Sequence, residues 1–180
     1  MIKKFVIILF LFGFSVSGQS QVDVALALEH YTKAMESYNA ANYESAISLF
    51  SKSIEENPNF VEAFFQRGCA KHYSDDYKGA ISDFDKAIEL RPSSEVFFKQ
   101  RGSSKTMLKD YDGAISDCDQ AIKIKPDYDK AYALRGILKI ELGQVDGCTD
   151  LTKAGEYGYA NAAIFLKKYC NKKKDDTEDK

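Results

Sequence analysis

Residues 64–92 read FFQRGCAKHYSDDYKGAISDFDKAIELRP, and residues 98–126 read FKQRGSSKTMLKDYDGAISDCDQAIKIKP. The second stretch repeats the first at an offset of 34 residues, and the chain's three prolines, Pro58, Pro92 and Pro126, have the same spacing. Matching columns at a fixed period are typical of a repeat array, in which one supersecondary unit stacks on the next. The sequence therefore predicts architecture in more detail than it predicts a ligand.

Each repeat unit is predicted to be a pair of helices, because its apolar residues recur at helical spacing. Small residues at two columns would let two antiparallel helices approach closely. A glycine inside a helix costs about 1 kcal/mol relative to alanine, so its recurrence at one column indicates a packing requirement. Proline ends each unit, since it cannot continue a helix. The two small-residue columns are Ala34, Gly68, Gly102 and Gly136, and then Ala46, Ala80, Ala114 and Cys148.

These columns resemble the tetratricopeptide repeat, which has an aromatic residue, a small residue four positions later, a tyrosine opening the second helix and a closing proline. The resemblance covers roughly residues 27–160. It implies an all-α fold, a right-handed superhelix of antiparallel helix pairs with a C-terminal capping helix. The implied segments are repeats at residues 27–60, 61–94 and 95–128, a degenerate fourth repeat at residues 129–159, and a capping helix at residues 160–170.

The fourth copy and the segment after it depart from the repeat. Thr149, Thr152 and Gly155 stand where the pattern has isoleucine, an aromatic residue and alanine. Terminal repeats lack a neighbour on one side, so weak agreement is expected there. The next segment has one apolar helical face, which predicts a helix that covers the open side of the fourth pair. That face consists of Ala162, Phe165, Leu166, Tyr169 and Cys170.

The first 18 residues have the pattern of a secretory signal peptide. Lys3 and Lys4 precede a short apolar run at residues 5–14, and small or compact residues follow. The run is about half the roughly 20 residues that a membrane-spanning helix needs. We therefore expect cleavage after Gly18, a lead-in at residues 19–26, and an exported protein, periplasmic or extracellular, with no retained membrane span.

Composition and charge argue against several classes of function. The formal net charge is −2, so the basic footprint of a nucleic-acid-binding protein is missing. The sequence has no Ser-His-Asp arrangement, nucleophile elbow or glycine-rich phosphate loop. We therefore expect no enzymatic activity and no cofactor. The charged tail at residues 171–180 is expected to be disordered, because it has little to bury.

The resemblance implies that first helices line a concave surface that binds an extended segment or a helix of another protein. Residues about a third of a turn from the partner-helix face form a separate stripe on each first helix. The stripe of the first copy is unusually apolar, and an exposed apolar patch typically marks a partner site. The predicted contact residues are Tyr31, Met35, Tyr38, Phe65 and His72.

Two alternatives to this groove stay open. The residues before Leu26, or a second copy of the protein, would cover the same apolar stripe. In a different class of function, the chain would be a structural subunit of an envelope or secretion complex, using its convex face or its ends.

Export would place the four cysteines in a compartment that permits disulfides. Cys148 lies near the start of a second helix and Cys170 ends the next helix, so antiparallel neighbours would bring them together. We predict a disulfide between them, and the alternative is two buried thiols. Cys69 and His72 share a helical face, but zinc needs about four ligands. No second pair converges from the sequence, so no metal site is predicted, and a metal-binding or redox role through these two residues is the alternative.

Three arginines, Arg67, Arg101 and Arg135, recur every 34 residues. Asp83 and Asp117 follow the first two after sixteen residues, whereas Leu151 breaks the series. The pattern predicts an ion pair between the two helices of a repeat, and a ladder that binds phosphate or acidic groups is the alternative.

Overall fold

The computed structural model describes residues 23–170, and every regular element within that range is a helix. The chain divides into two compact units, Met1–Ser74 and Asp75–Lys180. The predicted all-α helical-repeat fold is confirmed, while the predicted signal peptide and charged tail lie outside the described residues. The elements are α1 (residues 23–39), α2 (Tyr43–Glu56), α3 (Val61–Tyr73), α4 (Tyr77–Leu90), α5 (Glu95–Met107), α6 (Tyr111–Ile124), α7 (Asp129–Glu141), α8 (Gly147–Glu156), α9 (Ala162–Phe165) and a π-helical turn (Leu166–Cys170).

The second helices of the first three pairs, α2, α4 and α6, begin with the same kind of cap. The side chains of Asn42, Asp76 and Asp110 each accept a hydrogen bond from a backbone N–H three residues later. Such caps satisfy N–H groups that have no partner inside the helix. The residue before each cap, and Gly143 in the fourth copy, has a left-handed backbone, which cannot continue the right-handed helix that precedes it. Those residues are Ala41, Asp75, Lys109 and Gly143, with φ between 57° and 74°.

The fourth pair lacks this start signal and packs one residue out of the 34-residue register. Gln144 stands at the cap position, and glutamine is not a preferred cap residue. Instead, N–H groups of Gly147 and Thr149 bond to carbonyls three residues earlier. Turns of this kind use fewer residues than an α-helical turn, so α8 reaches its contact with α7 one residue early.

The prediction that Cys148 occupies the small-residue column is therefore wrong. A Cβ atom on Gly136 would lie 2.8 Å from the carbonyl oxygen of Gly147, just as one on Gly102 would lie 3.2 Å from that of Ala114. Gly147 thus fills the column. With this register Leu151 and Ala154, both fully buried, take the core positions that the 34-residue count gives to Thr152 and Gly155.

A short cap follows the last pair. The predicted helix at residues 160–170 consists of α9 and the π-helical turn, and both parts contact α8. Ala162 is buried, and Phe165 stacks against Tyr159 and Tyr169, with ring centroids 6.3 and 6.2 Å apart. Of the helices in residues 23–170, none has the length and apolar character that a membrane crossing requires.

Candidate functional site

The α1 residues of the predicted groove lie against the hydrophobic core of the first unit. Tyr31, Met35 and Tyr38 are half-buried. The ring centroid of Tyr31 lies 5.6 Å from that of Phe50 and 4.9 Å from that of Phe60. These side chains are therefore partly structural, and each keeps a solvent-exposed part. The core cluster they contact contains Ala34, Ala46, Phe50 and Ala70.

Two tyrosine hydroxyls of α1 face α3. Burial, with the nearby carboxylate of Glu62, raises the pKa of Tyr31, and Gln66 hydrogen-bonds to the hydroxyl. Burial also raises the pKa of Tyr38, and the side chain of Cys69 adds to the effect. Both hydroxyls stay neutral at physiological pH, so they offer hydrogen bonds without adding negative charge.

An aromatic cluster joins the ends of α1 and α3. The ring of Tyr73 stacks on Tyr43, with centroids 5.5 Å apart and planes 19° apart, and meets Tyr38 edge-on at 6.1 Å. The imidazole of His72 packs edge-on against the same ring at 5.5 Å. Aromatic pairs in these geometries add to the stability gained from burial. Tyr73 thus links Tyr38 to His72.

Tyr73 is the site residue that the sequence argument missed. It is 55% exposed, more than any of the five predicted residues, which are all half-buried. It follows His72 directly, so a wider stripe on the helical wheel would have included it. Phe65 lies two turns earlier on α3 and is also half-buried.

We call the surface formed by Tyr31, Met35, Tyr38, Phe65, His72 and Tyr73 the aromatic patch. Its side chains offer large apolar areas edged by hydroxyl groups and one imidazole. This chemistry suits van der Waals contact and hydrogen bonding to a partner. Leu28, which is 55% exposed on α1, extends the apolar stripe toward the start of the described chain.

A ladder of ion pairs runs through the second unit. The guanidinium of Arg101 donates two hydrogen bonds to the buried carboxylate of Asp117, at 3.0 and 2.5 Å, and a third to Asp85, at 2.6 Å. Lys105 adds a salt bridge to Asp117 at 2.9 Å. Burial lowers the pKa of Arg101, but the hydrogen bonds from its guanidinium to Asp117 and Asp85 outweigh this effect and raise the pKa. The ring of Phe98 lies 5.4 Å from the guanidinium carbon.

The ladder continues in the fourth pair, so the predicted break at Leu151 is wrong. Arg135 donates two hydrogen bonds to Asp150, at 2.8 and 2.6 Å, and one to Asp119, at 2.5 Å. The one-residue shift of α8 places Asp150 where Asp117 lies in the third pair. In both rungs all three guanidinium nitrogens are engaged by carboxylates. This arrangement favours a structural role over binding of an anion.

The structure joins Cys148 and Cys170 by a disulfide, with Cα atoms 5.9 Å apart. The register shift turns Cys148 away from the column facing α7, so its sulfur meets the cap. Cys69 and Cys118 are buried. Burial, and the nearby carboxylate of Asp117, raise the pKa of Cys118 to about 12, so its thiol stays neutral and unreactive.

Cys69 and His72 are the residues that the sequence offered for a metal. Cys69 is buried and His72 half-buried, packed against Tyr73. Among the described residues, no group of three or more His, Cys, Asp and Glu side chains converges on one point.

Residues 61–94 and 100–128 match the family model of the tetratricopeptide repeat. No curated protein sequence matches the chain. This match and the similar solved structures described next support tetratricopeptide repeats in this chain. The structures are about 20% identical to the chain, so what they show is the shared fold.

Three solved structures illustrate that likeness. MamA is 19% identical, with a TM-score of 0.67, over 78% of this chain and 74% of that one. YrrB, described as a TPR protein with an unusual peptide-binding site, is 18% identical, with a TM-score of 0.65, over 82% and 79%. The first TPR of Spaghetti (RPAP3), bound to the HSP90 peptide SRMEEVD, is 20% identical, with a TM-score of 0.65, over 67% and 96%.

Proposed function

We propose that this chain is an exported protein–protein interaction module that binds a peptide or a helix of a partner protein on the aromatic patch. The observation that carries the proposal is the continuous row of aromatic side chains that the core covers only in part. A row of half-covered rings offers a partner a large contact area. The core beneath already holds the rings in place, so binding costs little side-chain ordering. The signal-peptide pattern of residues 1–18 supports export.

The similar structures support the same class of function. Two of them are of peptide-binding proteins. The patch chemistry differs from a clamp for a terminal carboxylate, because Tyr31 and Met35 stand where such a clamp would need cationic and amide side chains. We therefore propose an apolar or aromatic recognition segment, with His72 and the tyrosine hydroxyls fixing its orientation.

Capture of the partner tests this proposal. The chain would be immobilised and exposed to extract of its source cells, and bound proteins would be identified by mass spectrometry. We expect the combined Phe65→Ala and His72→Ala variant to capture at least tenfold less partner, since a typical anchor residue contributes more than about 1 kcal/mol.

Chain isolated from those cells should begin at Gln19, as cleavage after Gly18 requires.

The repeat supplies a matched control. Lys99 and Thr106 occupy the same two columns one copy later, so the combined Lys99→Ala and Thr106→Ala variant should capture as much partner as the native chain. Thermal unfolding of both variants must stay close to native, which separates lost contacts from lost folding. Equal capture by all three proteins would move the site away from the patch.

A role as a structural subunit has one observation in its favour. In the second unit, four large apolar side chains are exposed at the end of α5 and in the turns after α5 and α7, and Val145 is 86% exposed. Loss of capture on changing Leu142 and Val145 to serine, with the aromatic patch intact, would favour that role. The four residues are Met107, Leu108, Leu142 and Val145.

A further inference from the structure

The last turn of the chain's described part is held by a covalent bond more than by burial. Within the turn Leu166–Cys170 no side chain is buried, and in α9 only Ala162 is. The ring of Phe165 stacks on the rings of Tyr159 and Tyr169. Both tyrosines belong to the cap or to the segment that leads into it. The disulfide from Cys170 to Cys148 is therefore the main link between this turn and α8.

The disulfide borders an open recess. A recess of about 360 Å³ is lined by Cys148, Tyr169 and Cys170, and also by Ile140 and Val145. Neither cysteine is buried, and Val145 is almost fully exposed. A small thiol reagent or a dithiol group of another protein therefore reaches the sulfur atoms without unfolding of the helices.

We propose that the Cys148–Cys170 disulfide is a redox latch on the cap. A dithiol reductant attacks one sulfur as its thiolate and forms a mixed disulfide, and its second thiol then releases the protein. The protein gains two electrons and two protons as two thiols, and the reductant becomes a disulfide. Opening frees residues 166–170 from α8 and removes the Tyr169 and Cys170 wall of the recess, which uncovers Ile140.

The other two cysteines leave this exchange undisturbed. Cys69 and Cys118 are 4% and 0% exposed, and the pKa of Cys118 is raised by burial. Thiol exchange depends on access and on the fraction of thiolate. Because Cys69 and Cys118 are already thiols, a reductant acts on the latch, and their burial keeps them from exchanging with it.

Hydrogen–deuterium exchange of the whole chain, oxidised and after treatment with dithiothreitol, tests the proposal. We expect amides of residues 162–170 to exchange at least tenfold faster after reduction, while those of α5 and α6 keep their rates. The combined Cys148→Ser and Cys170→Ser variant should exchange quickly in this segment with or without dithiothreitol.

Three results would overturn the latch. One is unchanged exchange in residues 162–170 after reduction, which would mean that packing alone holds the cap. Another is faster exchange throughout the second unit, which would make the bond a general staple. The third is a disulfide that dithiothreitol reduces only after urea has unfolded the chain. That result would mean that a reductant cannot reach the bond in the folded protein.

Discussion

Replacing Asp117 by alanine is expected to lower the free energy of unfolding of the second unit by about 3 kcal/mol. The Asp117 side chain is 3% exposed, and its two oxygens bind Arg101 and Lys105. Without it, two cations that are themselves mostly buried lose their shared carboxylate. A charge left buried without its partner is more costly than the pair contributes in net stability. Urea unfolding followed by circular dichroism measures the change.

Asp85→Ala is the matched control, because Asp85 binds the same guanidinium from the other side at 2.6 Å. Its side chain is 54% exposed, and exposed ion pairs contribute only about 0–1 kcal/mol. We expect a loss within that range. Equal losses for the two variants would show that burial does not decide the strength of the ladder.

Gly147→Ala is expected to lower the free energy of unfolding by about 1–2 kcal/mol, although alanine normally favours helices. A Cβ atom at this position would lie 2.6 Å from the carbonyl oxygen of Gly136 and 2.7 Å from a side-chain carbon of Ile140. The first of these atoms is backbone, so α7 and α8 must separate to admit a methyl group. The same urea titration measures the loss.

Gly155→Ala serves as the comparison on the same helix. Its Cβ atom would meet only the Cβ of Ala162 in the cap, at 3.1 Å, and Gly155 is exposed. We expect a change below about 1 kcal/mol. A Gly147→Ala variant as stable as the native chain would contradict the shifted register and restore Cys148 to the small-residue column.

The repeat columns predicted most of the helical architecture. They predict second helices at residues 43–56, 77–90 and 111–124, and α2, α4 and α6 have these bounds, because a cap or tyrosine marks each start and an extended residue follows each end. The first helices α3, α5 and α7 are predicted at residues 61–74, 94–109 and 127–142, which is one to three residues too long. Their C-terminal ends are fixed by the left-handed turn residue, which is of a different type in each of the four copies, so the sequence carries a weaker signal there.

The register of the fourth pair could not be predicted by counting. The shift arises from a few backbone hydrogen bonds that replace the cap missing at Gln144, and such bonds depend on how α8 fits against α7. Counting from Cys118 therefore assigned Thr152 to a position that Leu151 fills. One residue of difference moved both the cysteine and the acidic partner of Arg135.

The aromatic patch shows a second limit of the sequence argument. A helical wheel gives the direction of Tyr31 and Tyr38 but not their depth, which depends on Phe60 and Tyr73 from elsewhere in the first unit. The ladder was also predicted in part. The partner within a pair was found for Arg101, but Asp85 of the preceding pair was missed, although Asp85 and Asp119 recur at the same period.

The central claim is that a partner protein binds the aromatic patch, and photo-crosslinking in the source cells tests it most directly. A benzophenone amino acid would replace Tyr73 in one variant and Met107 in a second, control variant. Met107 occupies the same column one copy later, and its exposed fraction is 53%, against 55% for Tyr73. We predict a covalent adduct with a second protein from position 73 alone, lost when Phe65 and His72 are changed to alanine. An adduct from position 107 alone, or none from position 73, would contradict the account.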